Sequence, residues 1–162
     1  MKASNLYFLL STTILLLFYS CQTPEVKTAP APITSAEKQM AKDLIQGSFD
    51  HLWAGVDSTK ISDYHTHDFI ILEHGEVWDN DRIKKFMRQQ LAKKDRPKRT
   101  NRMEYISIDK HGEAIQMAYY NFAEFSRADT VSGKAKWLES ALAIPTENGW
   151  RLKMMHSTWV GN

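Results

Sequence analysis

The stretch from Trp137 to Trp159 constrains the fold more strongly than any other part of this chain. It consists of two runs rich in apolar and aromatic residues that flank Asn148 and Gly149. Asn-Gly between such runs favours a two-residue type I′ turn, because both residues tolerate a positive φ angle. The stretch therefore predicts an antiparallel β-hairpin near the end of the chain.

The alternation of side chains in this hairpin predicts which residues share a face. If the Asn-Gly pair forms the centre of the turn, Glu139 and His156 lie on one face of neighbouring strands, close enough to interact diagonally. Trp137 then lies on the same face. A change of one residue in the loop length would place Ser140 beside His156 instead, so the residues alone leave the register open.

The beginning of the chain has the layout of an export signal. Lys2 precedes an apolar segment, Leu6 to Phe18, which is too short for a comfortable transmembrane helix, and Cys21, the only cysteine, follows it. A lone cysteine forms no internal disulfide. The sequence LLLFYSC resembles a bacterial lipoprotein signal in which Cys21 receives a lipid after cleavage. The alternative is an ordinary secretory signal with an incidental cysteine.

This signal divides the chain into three predicted parts. Residues 1–20 form the lipoprotein signal peptide, residues 21–35 form a flexible tether rich in Pro, Thr and Ala, and residues 36–162 form a single domain. We therefore predict a location in the bacterial cell envelope, with Cys21 anchoring the domain at the periplasmic face of a membrane. The net charge is close to neutral, which gives no case for nucleic-acid binding.

The apolar periodicity of the domain predicts helices first and longer strands afterwards. A long helix is expected from the N-cap Ser35 to about Gly55. Further helices are predicted at residues 57–64 and 82–94, and strands at residues 67–73, 76–78, 103–109 and 113–128, before the final hairpin. This order predicts an α+β domain in which the helices pack on one face of a curved antiparallel sheet.

Three features of the domain resemble the nuclear transport factor 2-like superfamily, and within it the SnoaL-like group. They are the long first helix followed by YHTHDFIILEHGEVWDNDRIKKFM, the meander of four strands, and the closing segment WLESALAIPTENGWRLKMMHST. The resemblance covers about residues 37–158. It implies a cone, in which the curved sheet wraps around the first helix and leaves a mostly apolar central pocket. It does not define the chemistry, because the superfamily includes enzymes, binding modules and proteins of unknown role.

The resemblance also implies a set of pocket residues: Asp68, Trp78, Tyr119, Asn121, Glu139 and His156. The alternation in the hairpin adds Trp137 to this set. We predict that this pocket binds a small, largely apolar molecule without a cofactor. One alternative is a cofactor-free isomerase, cyclase or dehydratase in which His156 acts as acid or base, Glu139 orients it, and Asp68 is a further catalytic candidate. Another alternative is a protein-interaction module that forms a homodimer through its sheet.

Two further clusters favour a structural interpretation. His65 and His67 would share a face if they lie on a strand. However, no HExxH pattern and no cysteine pair accompanies them, and we therefore predict no metal site. The basic residues 93–102 are interpreted as a solvated loop, because no aromatic residue interleaves them to stack on single-stranded nucleic acid.

Overall fold

The computed structural model describes residues 32–161, and the predicted signal peptide, Cys21 and most of the tether lie outside this range. The first helix, α1, spans Ser35–Ser48 and begins with a reciprocal capping box. The Thr34 hydroxyl accepts a hydrogen bond from the Glu37 amide at 3.2 Å, and the Glu37 carboxylate accepts one from the Thr34 amide at 2.8 Å. The N-cap is therefore Thr34, and the prediction of Ser35 is wrong by one residue.

A π-helical turn follows α1 directly and continues the helical segment beyond Ser48. This turn spans Phe49–Ala54 and closes with a hydrogen bond of 2.8 Å from the Gly55 amide to the Asp50 carbonyl. The remaining helical segments are a 3₁₀ turn, Ser58–Lys60, helix α2, Ile61–Tyr64, and helix α3, Asn80–Leu91. Within residues 32–161, no helix combines the length and the apolar character needed to cross a membrane.

In the described range the strands form one six-stranded sheet. They are β1, His65–Glu73; β2, Glu76–Asp79; β3, Lys98–His111; β4, Ala114–Arg127; β5, Thr130–Thr146; and β6, Gly149–Gly161. Their order across the sheet is β2-β1-β6-β5-β4-β3. Neighbours run antiparallel, except that β1 and β6 run parallel. The predicted α+β class, with helices against a curved sheet, is confirmed.

The hydrophobic core lies between the helices and the concave face of the sheet. Side chains at alternate strand positions point into it, and Phe69 and Tyr119 are among its largest fully buried members. Gly47 allows α1 to approach α2 closely, because a Cβ atom at this position would lie 2.7 Å from the Tyr64 ring. The convex face carries the side chains at the other positions.

Strand β3 begins earlier than the sequence predicts. The structure places residues 98–102 in the strand, where Arg99 pairs with Phe125 and Asn101 pairs with Ala123. These residues had been assigned to a solvated basic loop. The loop prediction is therefore wrong for this part, and the correction brings a cationic side chain onto the concave face.

The turn of the last hairpin also differs from the prediction. Thr146 pairs with Gly149, so Glu147 and Asn148 are the two central residues. Of the Asn-Gly pair, only Gly149 has a positive φ angle, at 94°. The turn therefore lies one residue earlier in the chain than a type I′ turn centred on Asn-Gly would require.

A bulge in β6 then sets the register of the functional part of the hairpin. Lys153 has no partner in β5, and beyond it Glu139 pairs with Ser157 while Ser140 pairs with His156. The predicted contact between Glu139 and His156 is wrong, because a one-residue shift reverses the face to which every side chain points. His156 is exposed on the convex side.

Candidate functional site

A cavity of about 250 Å³ lies between the concave face of the sheet, the π-helical turn and α3. Its apolar wall consists of one aliphatic and five aromatic side chains: Ile71, Phe49, Trp53, Trp78, Phe86 and Trp137. Four of the rings form a series, with centroids 6.3 Å apart for Phe49 and Trp53, 6.1 Å for Trp53 and Phe86, and 5.5 Å for Phe86 and Trp78. A mostly aromatic wall with a few polar groups is typical of a small-molecule site.

A row of polar side chains crosses the sheet along one side of this cavity. Because Glu73 pairs with Ser157, Ser157 with Glu139, and Glu139 with Tyr119, these residues occupy the same level on four adjacent strands. Glu73, Glu139 and Ser157 line the cavity. The pairing of strands far apart in sequence thus assembles the polar part of the site.

Glu139 is the most perturbed acid of the site. It is 5% exposed, and its carboxylate accepts hydrogen bonds from the Asn121 amide at 3.3 Å and from the Ser157 hydroxyl at 3.2 Å. Burial raises the pKa of Glu139 to about 7, against the lowering effect of those two hydrogen bonds and of Arg99. A carboxyl group with this pKa can hold or release a proton near neutral pH.

Tyr119 lies fully buried beside Glu139. Burial, followed by the nearby charge of Glu139, raises its pKa well above the usual value. Within the described residues the Tyr119 hydroxyl has no hydrogen-bond partner. The Glu139 carboxylate therefore acts on Tyr119 through its charge and not through a formed hydrogen bond. Tyr119 remains a neutral phenol at physiological pH.

Arg99 enters the cavity from β3 and is enclosed by aromatic rings. Its guanidinium carbon lies 5.2 Å from the Trp137 ring centroid and 5.8 Å from that of Phe49. Burial lowers the pKa of Arg99 to about 10, while Glu139 and Glu73 oppose this effect. The side chain therefore remains charged at neutral pH.

A chain of side-chain hydrogen bonds connects Arg99 with Glu139 behind the cavity wall. The Arg99 Nε donates to Asn101 Oδ1 at 2.9 Å, and the Asn101 amide donates to Asn121 Oδ1 at 2.7 Å. Asn121 then donates to Glu139. The two asparagines hold the two charged groups in fixed positions without joining them in a direct ion pair.

Comparison with solved structures identifies the architecture that carries this cavity. A nuclear transport factor 2-like superfamily protein from Salmonella enterica serovar Typhimurium matches with a TM-score of 0.64 and 17% identity, covering 80% of this chain and 95% of that protein. A nuclear transport factor 2-like protein from Cytophaga hutchinsonii matches with a TM-score of 0.61 and 8% identity, covering 79% and 100% of the two chains. The chain has the nuclear transport factor 2-like fold.

Other structures with this fold include assembly domains. The CaMKII hub homology domain of Chlamydomonas reinhardtii matches with a TM-score of 0.65 and 16% identity, covering 78% of this chain and 99% of that domain. No protein-family model and no curated protein matches the chain. At these identities the likeness shows the fold alone, and the assignment to the SnoaL-like group stays a prediction.

Several residues predicted from the sequence lie at the cavity of this nuclear transport factor 2-like fold. Trp78, Trp137 and Glu139 line it directly. Tyr119 and Asn121 lie immediately behind Glu139, where Asn121 is fully buried and bonds to the carboxylate. Whether any of these residues binds a ligand stays a prediction.

Asp68 and His156 lie outside this cavity, contrary to the expectation. Asp68 is exposed and forms an ion pair with Lys153, and its hydrogen bond with Lys153 lowers its pKa to about 2. His156 points to the convex face because of the bulge in β6, and its neighbour there is Ser140. Neither residue is brought together with Glu139, so the predicted catalytic trio does not form in this cavity.

The two histidines of the metal hypothesis also point in different directions. His65 is buried and stacks on Phe69 with ring centroids 3.7 Å apart, whereas His67 is exposed. The Asn80 side-chain amide nitrogen donates a hydrogen bond to the Thr66 carbonyl oxygen. The Asn80 side-chain oxygen lies 3.0 Å from His65 Nδ1. Burial lowers the pKa of His65 to about 4, so it is a neutral core histidine. Among residues 32–161, no three potential metal-ligating side chains of His, Cys, Asp or Glu converge.

Several residues that line the cavity are not among the site residues predicted from the sequence, and Phe49, Trp53, Arg99 and Ser157 are four of them. Phe49 and Trp53 fall in the apolar periodicity of the first predicted helix, which indicates burial but not a ligand site. Arg99 lay in the predicted basic loop, although Met103 and Tyr105 continue its period-two alternation. Ser157 took the place expected for His156 because of the register shift. Alternation from Arg99 to Tyr105 is the signal by which the cationic residue could have been found.

Proposed function

We propose that this domain binds a small, largely apolar molecule in the cavity of its cone. The observation that carries the proposal is the combination of five aromatic rings with a polar edge formed by Arg99, Glu139 and Ser157. A volume of about 250 Å³ is below the roughly 300–1,000 Å³ of sites for drug-sized ligands. It suits a molecule with a single ring and a short polar group.

Tryptophan fluorescence gives a direct test, because Trp53, Trp78 and Trp137 line the cavity. We expect saturable changes on titration with one-ring probes. Ile71→Phe should fill part of the cavity and weaken binding by about tenfold or more. Leu72→Phe is the matched control, because Leu72 is the next residue of β1 and faces the convex side. Equal binding by both variants, or no saturable binding of any probe, would contradict the proposal.

The convex face supports a second candidate function, assembly through the sheet. Leu138 is 38% exposed there and pairs with Tyr120, whose ring lies 6.3 Å from that of Phe122. Lys136 lies 4.0 Å from the Tyr120 ring centroid. Exposed apolar surface of this kind is typical of an interaction site, and hub and association domains occur among proteins of this fold.

Sedimentation velocity tests this candidate. Leu138→Glu should dissociate a homodimer that uses the convex face, whereas Val131→Glu, an exposed apolar residue at the start of β5, should leave it intact. A monomer in the unmodified protein, or dimers unaffected by Leu138→Glu, would exclude assembly through this patch.

A proton-transfer enzyme remains a further proposal, with a changed assignment of the acid–base group. Glu139 has the pKa near neutrality that such a reaction requires, and it lies in the cavity, which His156 does not. Exchange of an acidic C–H of a bound one-ring ketone with D₂O would reveal this activity. It should disappear in Glu139→Gln and persist in His156→Gln; loss in His156→Gln alone would restore the original assignment.

We propose in addition that Cys21 anchors the domain to a membrane of the bacterial cell envelope. The support comes from the sequence alone: Lys2, the apolar segment and the tether rich in Pro and Thr. Mass spectrometry of the mature N-terminus provides the test. A mature chain that begins at Cys21 and carries lipid is expected, and an unmodified N-terminus elsewhere would refute the anchor.

A further inference from the structure

Arg99 presents hydrogen-bond donors to the cavity that the protein itself does not use. Its Nε donates to Asn101, and within residues 32–161 this is the one side-chain hydrogen bond that its guanidinium makes. None of the ion pairs in the described range involves Arg99. A guanidinium group carries five N–H donors in a planar fork, and its terminal nitrogens accept nothing. The remaining donors are therefore free to bind an acceptor of a ligand or of the solvent.

Trp53 supplies an independent observation at the same cavity. Its indole Nε1 is buried, and it has no hydrogen-bond partner among the described residues. An indole N–H only donates, and a buried donor without a partner is costly. Both residues lie near Phe49, whose ring centroid is 5.8 Å from the Arg99 guanidinium carbon and 6.3 Å from the Trp53 ring centroid. Both unsatisfied groups of this wall are donors.

The two acids of the cavity do not neutralise Arg99 by contact. The Glu139 carboxylate is bound by Asn121 and Ser157. The Glu73 carboxylate lies 3.0 Å from His74 Nε2. Both acids act on Arg99 through space only. The guanidinium is thus a cation in an aromatic enclosure, without a bound counter-ion from the protein.

We propose that the ligand of this cavity is a small aromatic or aliphatic carboxylate whose anionic group pairs with Arg99. This inference rests on the proposed ligand-binding function and specifies its ligand class. A carboxylate matches the planar fork of a guanidinium with two parallel hydrogen bonds. The aromatic wall accommodates the apolar body of the same molecule.

Phenylacetate and phenylacetamide form a suitable pair of probes, because they have nearly the same shape and differ in charge. We expect calorimetric titration of the full chain to show phenylacetate binding about 10- to 100-fold more tightly than phenylacetamide. Arg99→Gln should remove this preference while leaving the affinity for phenylacetamide nearly unchanged. Arg102→Gln is the matched control, since Arg102 lies on the same strand, pairs with Phe122 of the convex face and is exposed; it should retain the preference.

The outcomes separate this inference from the function on which it rests. If both probes bind with equal affinity to the unmodified protein, the cavity binds ligands but carboxylate recognition is refuted. If neither probe nor a neutral one-ring compound such as toluene binds, the binding function itself is refuted. The comparison of the two probes needs only the unmodified chain, so it decides the question even if Arg99→Gln does not fold. A preference that survives in folded Arg99→Gln would assign the anion to another group.

Discussion

The buried carboxyl of Glu139 should make the stability of the domain fall as pH rises towards neutrality. Its pKa is 4.5 when unperturbed and about 7 in the folded protein. Between these values the unfolded chain releases the proton while the folded chain retains it. A raised folded-state pKa therefore contributes stability that is complete below about pH 4.5 and is lost as pH rises through about 7.

The size of this effect follows from the change in pKa. Moving the pKa from 4.5 to about 7 corresponds to about 3 kcal/mol, since each pH unit is worth about 1.4 kcal/mol. Glu139→Gln keeps the size of the side chain but removes its titration. The free energy of unfolding of this variant, minus that of the unmodified protein, should increase by about 3 kcal/mol as the pH is raised from about 4 to about 8.5.

Urea unfolding followed by circular dichroism measures this gain across the pH range. Glu147→Gln serves as the matched control, because Glu147 is an exposed carboxylate in the turn of the same hairpin. Its difference from the unmodified protein should stay nearly constant with pH. If the difference in free energy of unfolding between Glu139→Gln and the unmodified protein is also independent of pH, Glu139 has the same pKa in the folded and unfolded chains. The argument that burial raises this pKa is then refuted.

Three further substitutions test how the site is supported. Gly47→Ala should destabilise the domain by about 1 kcal/mol or more, because the new Cβ would lie 2.7 Å from the Tyr64 ring. Helix propensity alone would favour alanine here. A higher melting temperature of the variant would therefore mean that the Tyr64 ring moves aside without cost. Asn121→Leu leaves Glu139 and Asn101 without their shared partner. It should cost about 1–3 kcal/mol in urea unfolding and should raise the pKa of Glu139 further, as carboxyl NMR would show; an unchanged pKa would contradict the proposed contact. Thr34→Ala removes the N-cap of α1 and should lower the free energy of unfolding by about 1 kcal/mol, whereas a Ser35→Ala control should change it little.

The general architecture could be predicted because each long element carries a strong local signal. The apolar stripe of α1, the His74-Gly75 turn and the alternation in β4 all depend on residues that are close in sequence. Trp78, Trp137 and Glu139 could be placed at the cavity for the same reason. Their faces follow from alternation within one strand or from the resemblance to a known fold.

The register of the last hairpin could not be predicted, because two small local choices determine it. The turn is centred on Glu147 and Asn148 instead of Asn148 and Gly149, and Lys153 forms a bulge. The bulge reverses the faces of the strand beyond it, because it shifts the register by one residue. The displaced turn alone would have left Glu139 opposite His156. Arg99 was missed for another reason: Pro97 and the surrounding charges are typical of a loop, and only tertiary packing makes this segment a strand.

The position of β6 has a consequence for the synthesis of the protein. Of the strands described between residues 32 and 161, β6 is made last, yet it lies between β1 on one side and β5 on the other. A nascent chain that ends at Asn148 contains every helix and five of the strands described between residues 32 and 161, but its sheet is divided into two unconnected pieces. Both pieces expose an open edge, which favours pairing with other chains. A chain that stops before β6 should therefore aggregate instead of forming a slightly shortened domain. The thirteen residues of β6 must leave the ribosome before the cavity can close.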